Sequence, residues 1–385
     1  MKYIRKSKET EEFIDFSHAF FYNENQKGKV EIICIIISQK VCKMAVTIRD
    51  VAALAGVSPS TVSRTCKDHP SISRETKERV RRAMAELGYE PNIQPGTNAG
   101  PSSQLISVIL PPSSRDVYEN AFYLETVRGI SQFCNERGYI STVVTGQDEE
   151  ELLGAIRTLV KDERMGGFIV LYSREDDAIV DYLYNEGLLY VLLGKAKQFV
   201  NQTIYIDNDN FLAGQEAAEY LLHLGHRRIA YLGSEDSMYF SAERRAGYQL
   251  ALTKHGQIPR EDYCLEMDGL FADRNEELLA LLEQEDRPTA FVTSDDILAV
   301  ALERICMKKG ISVPEDLSIV SFNNSLFARI TSPQLTSIDV NSCQLGIEAA
   351  SQLINHIENP NLMATKIIVP HRLIERDSCR RLEVD

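Results

Sequence analysis

The sequence predicts an α/β protein: an N-terminal three-helix, helix-turn-helix headpiece followed by a larger domain of two lobes, each a doubly wound parallel sheet. Three observations carry this. Residues 47–88 hold short helical patterns punctuated by glycine, and residues 91–103, PNIQPGTNAGPSS, are rich in Pro, Gly, Asn and Ser. Beyond them, apolar runs of strand length alternate with amphipathic helical segments.

In the headpiece, Thr47 is placed as the N-cap of a first helix, with Asp50 three residues on to hold the first-turn amides. Val51, Ala52, Leu54 and Ala55 are its expected apolar stripe. Gly56 permits the left-handed turn that ends it, Val57 plugs inward, and Ser58-Pro59 supplies a cap followed by proline at the first position of a second helix running to about Cys66. Ser73 caps a third helix with Val80, Met84 and Leu87 on its buried side, and Gly88 stops it.

The expected domains are 1–43, an N-terminal extension of no expected function; 44–91, the headpiece; 92–103, a linker; and 104–385, a two-lobed domain for effector binding and dimerisation. The runs Ile106 to Leu110, Tyr139 to Val144, Phe168 to Leu171, Tyr190 to Leu193, Ile229 to Leu232, Ala290 to Thr293 and Ser318 to Phe322 are the expected strands. Strand, helix, strand repeated this way builds parallel sheets covered on both faces. A dozen such elements exceed one small sheet, which gives two lobes and a cleft.

Composition narrows the function. The apolar fraction of 44% and charged fraction of 25% suit a globular chain, and no stretch reaches the length of a bilayer span. The eight cysteines are scattered without a Cys-x-x-Cys pair, which points to reduced thiols, no metal site and a cytoplasmic location. A net charge of −14 argues against nucleic acid only if it is uniform, and it is not. Residues 47–92 carry eight Arg/Lys against six Asp/Glu, a balance of +2, whereas 93–385 carry 26 against 44, a balance of −18. Only the headpiece can approach a polyanion.

A helix, a glycine turn and a second capped helix within so short a span is the arrangement that places the second helix in the major groove of DNA. Its expected exposed positions are Pro59, Ser60, Thr61, Ser63 and Arg64. Hydroxyls and the helix N-terminus suit phosphates, and Arg64 can reach a phosphate or the acceptor edge of guanine. Thr47, Ser71, Ser73 and Asn92 complete the expected DNA-contacting set.

The string TIRDVAALAGVSPSTVSRTCKDHPSISRETKERVRRAMAELGYEPN, residues 47–92, closely resembles the headpiece of the lactose repressor/galactose repressor family, including Tyr89, Pro91 and Asn92 after the third helix. The resemblance continues through LGHRRIAYLG (224–233), SAERRAGYQLAL (241–252), TSDDILAVAL (293–302), VPEDLSIVSFNNS (313–325) and SPQLTSIDVN (332–341). The SFNNS and SPQLTSIDVN strings resemble the maltose/maltodextrin operon repressors within that family. The resemblance implies a periplasmic-binding-protein-like fold with ligand at the carboxyl ends of the strands, and operator choice set by Pro59 and Ser60. It also implies that Arg244, three residues before Gly247, and Asp296, three before Ala299, hold sugar hydroxyls.

A guanidinium and a carboxylate suit such hydroxyls through charge-assisted hydrogen bonds, and apolar sugar faces stack on rings. The expected effector set is Phe122, Tyr123, Tyr172, Asp207, Arg244, Asp296, Phe322 and Asn323. One departure stands out. Where the family has an Ala-Arg-x-Leu hinge that folds on DNA, this chain has Gln94, Pro95, Gly96, Thr97 and Asn98, and Pro95 and Gly96 disfavour a helix.

The expected protein is therefore a cytoplasmic, homodimeric regulator that binds double-stranded operator DNA and a small sugar, with no cofactor, no catalytic residues and no membrane contact. It is read as a repressor of maltose/maltodextrin utilisation, released from DNA by the sugar. A global carbon-catabolite regulator answering to a protein corepressor is the nearest alternative. A transporter's sugar-binding protein would have no headpiece, and no phosphate loop or dinucleotide fingerprint supports an enzyme.

Overall fold

A computed structural model describes residues 23–24, 30–31, 46–66, 72–89, 105–112, 120–162, 164–234, 238–267 and 275–382. The chain divides into two units, residues 1–45 and 46–385. In the first, β1 (Asn23–Glu24) pairs antiparallel with β2 (Val30–Glu31). Ser71, Asn92 and the linker lie outside the described residues.

The second unit opens with the headpiece helices α1 (Ile48–Ala55), α2 (Pro59–Cys66) and α3 (Arg74–Leu87). The Asp50 carboxylate accepts from the Thr47 backbone N–H and hydroxyl, each at 2.8 Å, and Gly56 ends α1 at φ 63°. Ile48, Val51, Ala52 and Ala55 recur at i, i+3, i+4 and i+7 and pack with Val62, Val80 and Ala83. Leu54 corrects the expected stripe: one residue before Ala55, it lies about 100° round the helix and is exposed. Met84 and Leu87 are half-buried against the same core, as is Val57.

The N-lobe sheet contains β3 (Leu105–Ile109), β4 (Ile140–Val144), β5 (Met165–Val170), β6 (Tyr190–Leu193), β7 (Ile204–Asp207) and β13 (Lys366–Ile368), in the order β13-β7-β6-β5-β3-β4 and all parallel. The C-lobe sheet contains β8 (Ile229–Gly233), β9 (Cys264–Glu266), β10 (Ala290–Thr293), β11 (Ser318–Phe322), β12 (Thr336–Asp339) and β14 (Arg372–Ile374). Their order is β14-β12-β11-β10-β8-β9, parallel except for β14. Every expected strand has its counterpart, and β7, β9, β12, β13 and β14 are additional.

The N-lobe carries α4 (Ala121–Glu136), α5 (Glu149–Leu159), α6 (Ala178–Asn185) and α12 (Ser342–Glu358); the C-lobe carries α7 (Asn210–His223), α8 (Tyr239–Lys254), α9 (Glu276–Glu283), α10 (Asp296–Lys309) and α11 (Leu326–Ile330). Alternation along β3 sends Ile106 and Val108 to one core and Ile109 to another on the opposite face. Each lobe has one intimate helix pair. Gly214 on α7 lies against the Arg244 backbone, and Gly247 on α8 against that of Phe211. Gly129 on α4 and Gly346 on α12 meet the Cys343 and Thr126 backbones in the same way. No Cβ would fit at these four positions without a shift of the backbone.

The chain crosses between lobes after β7, after β12 and after β13. Asn208, in the first crossover, donates from its side-chain amide to Val340 O in the second (3.1 Å) and Val369 O in the third (2.8 Å). One buried amide thus clasps all three.

Candidate nucleic-acid interface and effector cleft

On α2 the local sequence sets what can be read. The Ser58 hydroxyl accepts from the Thr61 backbone N–H at 3.2 Å and pairs with the Ser60 and Thr61 hydroxyls at 2.9 and 2.8 Å. Thr61 is consequently buried, which corrects its place among the exposed positions: with Val62 and Thr65 it belongs to the inward face of α2. Pro59, Ser60, Ser63 and Arg64 remain half-exposed on the outer side. Thr47 and Ser73 are exposed at the starts of α1 and α3, and Ser73 caps through its hydroxyl, which accepts from Thr76 N at 3.2 Å.

The carboxyl ends of the two sheets face each other. Arg174, just past β5, forms an antiparallel bridge with Met238, just before α8, and Tyr239 N donates to Ser173 O at 3.4 Å. Lys195, just past β6, pairs with Glu243 on α8 at 2.6 Å. Lys197 lies 4.6 Å from the centre of the Tyr239 ring. These contacts join the lobes at one edge of the cleft.

Arg244 is buried on α8. Its Nε donates to Asn210 Oδ1 at 2.9 Å and its Nη1 to Ser294 O at 2.5 Å, while its guanidinium lies 4.2 Å from the Phe322 ring centre and 5.0 Å from that of Phe240. Burial pulls it down to about 10, opposed by Tyr231, Asp295, Asp207 and Asp296 around it. Asn210 in turn donates to Asp207 Oδ1 at 3.0 Å. Burial pushes the Asp207 carboxyl up to about 7, against the backbone N–H of Asn208 that holds it. Asp207, Asn210, Arg244 and Ser294 thus form a buried polar relay from the end of β7 to the end of β10.

Asp296 is turned away from this relay. Its carboxylate accepts from the Ser321 hydroxyl, from Ser325 N at 2.7 Å and from the Ser337 hydroxyl at 2.9 Å, tying β11, α11 and β12 together inside the C-lobe. Its neighbour Asp295 caps α10 by accepting from Leu298 N at 2.9 Å and is coupled electrostatically to Arg244 and, across the cleft, to Tyr123. Burial raises Asp295 to about 6. Two adjacent acids thus have different surroundings, and the sequence alone does not separate them.

Phe122 and Tyr123 meet edge to face at 5.4 Å and are half-buried at the start of α4. Tyr172 and Phe322 are buried in the cores, but the Tyr172 hydroxyl has no hydrogen-bond partner; neither has that of Tyr239, nor Ser234 at the end of β8. A buried hydroxyl without a partner is costly, and a polyhydroxyl ligand supplies partners. Asn323 adopts φ 91° and its backbone N–H donates to Ile338 O, so it is a turn residue beside the cleft. Asn210, Lys195, Glu243 and Asp295 were not foreseen. Asn210 opens α7 and Lys195 follows β6, positions that carry no signal apart from the fold, and Asp295 was passed over for its neighbour.

A headpiece, two parallel lobes and a polar cleft define a DNA-binding regulator coupled to a small-molecule sensor. The sequence profile of bacterial regulatory proteins of the lacI family matches residues 47–92, and that of the periplasmic binding protein-like domain matches 218–379. The HTH-type transcriptional regulator MalR of Streptococcus pneumoniae is 35% identical over 347 residues, which cover 86% of this chain and 100% of that protein. The HTH-type transcriptional regulator CelR of Thermobifida fusca is 28% identical, covering 86% and 98%. Among solved structures, a LacI transcriptional regulator of Bacillus cereus superposes with a TM-score of 0.70 at 36% identity, covering 73% of this chain and all of that one. A complex of CelR with cellobiose gives 0.67 at 28% identity, covering 86% and 99%. The chain belongs to the lacI family and is a DNA-binding transcriptional regulator. Among the described residues no helix is long and apolar enough to cross a membrane.

Proposed function

We propose that this regulator is a cytoplasmic, homodimeric repressor of maltose and maltodextrin utilisation genes, and that a sugar bound in the cleft releases it from a two-fold symmetric operator. The observation that carries the sugar reading is the buried relay through Arg244, flanked by the Phe240 and Phe322 rings and by unpartnered hydroxyls. That combination offers fixed polar groups for sugar hydroxyls and rings for sugar C–H faces. The similarity to MalR and to a cellobiose-bound relative supports the ligand class. In this reading Arg244 and Asp295 hold the sugar, with Asp207 and Asn210 positioning Arg244; Asp296 holds the C-lobe around them. Arg64, Ser60 and Pro59 meet the operator, and a dimer doubles the few contacts one headpiece can make.

Calorimetric titration of the full chain with maltose, maltotriose, longer maltodextrins, cellobiose and sugar phosphates tests it. Saturable binding of a maltodextrin is the expected result. Binding of a sugar phosphate alone, or of none of these sugars, would overturn the maltodextrin assignment.

A further inference from the structure

The outer face of α2, half-exposed, looks in part onto the N-lobe. Pro59, Ser60 and Arg64 line one side of a groove of about 360 Å³ whose other side is the N-lobe, where Gln202, His356 and Met363 stand. Such a space holds water but no duplex, since a helix reading DNA must enter a major groove roughly 12 Å wide between two phosphate walls.

The headpiece is anchored at the rim of this groove. Tyr184 at the end of α6 and Phe199 stack face to face, with ring centres 3.7 Å apart and planes within 5°. The Arg49 guanidinium of α1 lies 4.7 and 4.9 Å from those two centres, and its Nη1 donates to Asn185 Oδ1 at 3.1 Å. Beside them, Gly187 ends the α6 turn at φ 64°, so close to the headpiece that a Cβ there would stand 2.8 Å from Pro59 O and 2.9 Å from Ile48 Cδ1. An arginine packed beside an aromatic stack, a hydrogen bond and a glycine-width backbone approach together make a fitted interface.

We propose that the N-lobe surface formed by Tyr184, Asn185, Gly187 and Phe199 is a docking site for the chain's own headpiece, which covers the DNA-reading face of α2 when no DNA is bound. DNA and the N-lobe then compete for α2, and the apparent operator affinity is the intrinsic one reduced by the undocked fraction. Burial pulls the Arg64 guanidinium down to about 10, and a phosphate beside it would oppose that pull by favouring the charged form.

The test uses the full chain and a duplex selected by the wild-type protein from a random-sequence pool. Tyr184→Ala/Phe199→Ala and, separately, Asn185→Ala remove the clamp without touching α2 or the cleft. Each variant should bind the duplex more tightly, the double variant by about three- to thirtyfold as the docked fraction falls. Unchanged or weaker binding in both, with the wild-type thermal transition retained, would overturn the proposal. The chain has no tryptophan, so Tyr184→Trp gives a single reporter on the interface. Saturating duplex should shift its emission to the red and open it to iodide quenching. Emission and quenching unaltered by the duplex would show that the headpiece does not leave this surface, and would overturn the proposal independently.

Discussion

Asp295 and Asp296 show what one position along a helix decides. Asp295 is the N-cap of α10, with extended backbone at φ −157° and ψ 174°, and Asp296 is the first helical residue; that change of backbone sends one carboxylate to Leu298 N and the Arg244 neighbourhood and the other into a ring of serine donors. Both bear the same charge in the same string, so their surroundings were illegible before the fold was known; Arg244 also has a like-charged neighbour, Arg245, and was singled out only by the resemblance, as the arginine three residues before Gly247. Thr61 was misread for the same reason, as its hydroxyl suits DNA but is spent on Ser58. Replacing Asp296 with Ala leaves Ser321, Ser337 and the Ser325 N–H without their acceptor in the C-lobe interior. The expected loss is about 2–4 kcal/mol of stability, measured by urea unfolding, whereas Asp295→Asn should melt close to wild type and bind sugar more weakly. The reverse pattern would exchange the two roles.

At the scale of elements, legibility followed apolar runs and not burial alone: β4 was read though it is an edge strand, and β7, buried throughout, was not. The strands read from apolar runs, β3 to β6, β8, β10 and β11, are mostly central, covered on both faces and therefore uniformly apolar. Those missed are short or lie at an edge: β9, β13 and β14 have one neighbour each, and Lys366 and Arg372 sit in them without penalty. β7 and β12 each end in an aspartate, Asp207 and Asp339, because they lead out of the sheets into crossovers. Helix contacts were equally hidden, since glycine in a helical pattern reads as a weakness. Gly214 and Gly247 are where α7 and α8 touch backbone to backbone. A methyl at Gly247 must push the helices apart, and Gly247→Ala should cost about 1–3 kcal/mol, read from the thermal or urea transition. A wild-type transition would mean that the α7–α8 crossing tolerates a wider spacing.

Over the whole molecule, the acidic lobes and the slightly basic headpiece divide the labour that the fold then couples. Asn208 clasps all three crossovers, and Lys195–Glu243 with Ser173–Tyr239 fastens the opposing lips. A ligand shifts the lobes only by its differential affinity for the arrangements on offer. Arg244 lies between the clasp and the fastened lips and outside the headpiece, which makes it the residue on which sensing and DNA binding separate most sharply. The decisive measurement is fluorescence anisotropy of the selected operator duplex with wild type and Arg244→Ala, each titrated with the maltodextrin that calorimetry identifies. The account predicts equal operator affinity without sugar, release of the wild type, and a variant that stays bound until sugar is raised about ten- to a hundredfold, the loss of a charge-assisted hydrogen bond. Release of Arg244→Ala at the wild-type sugar concentration would contradict it.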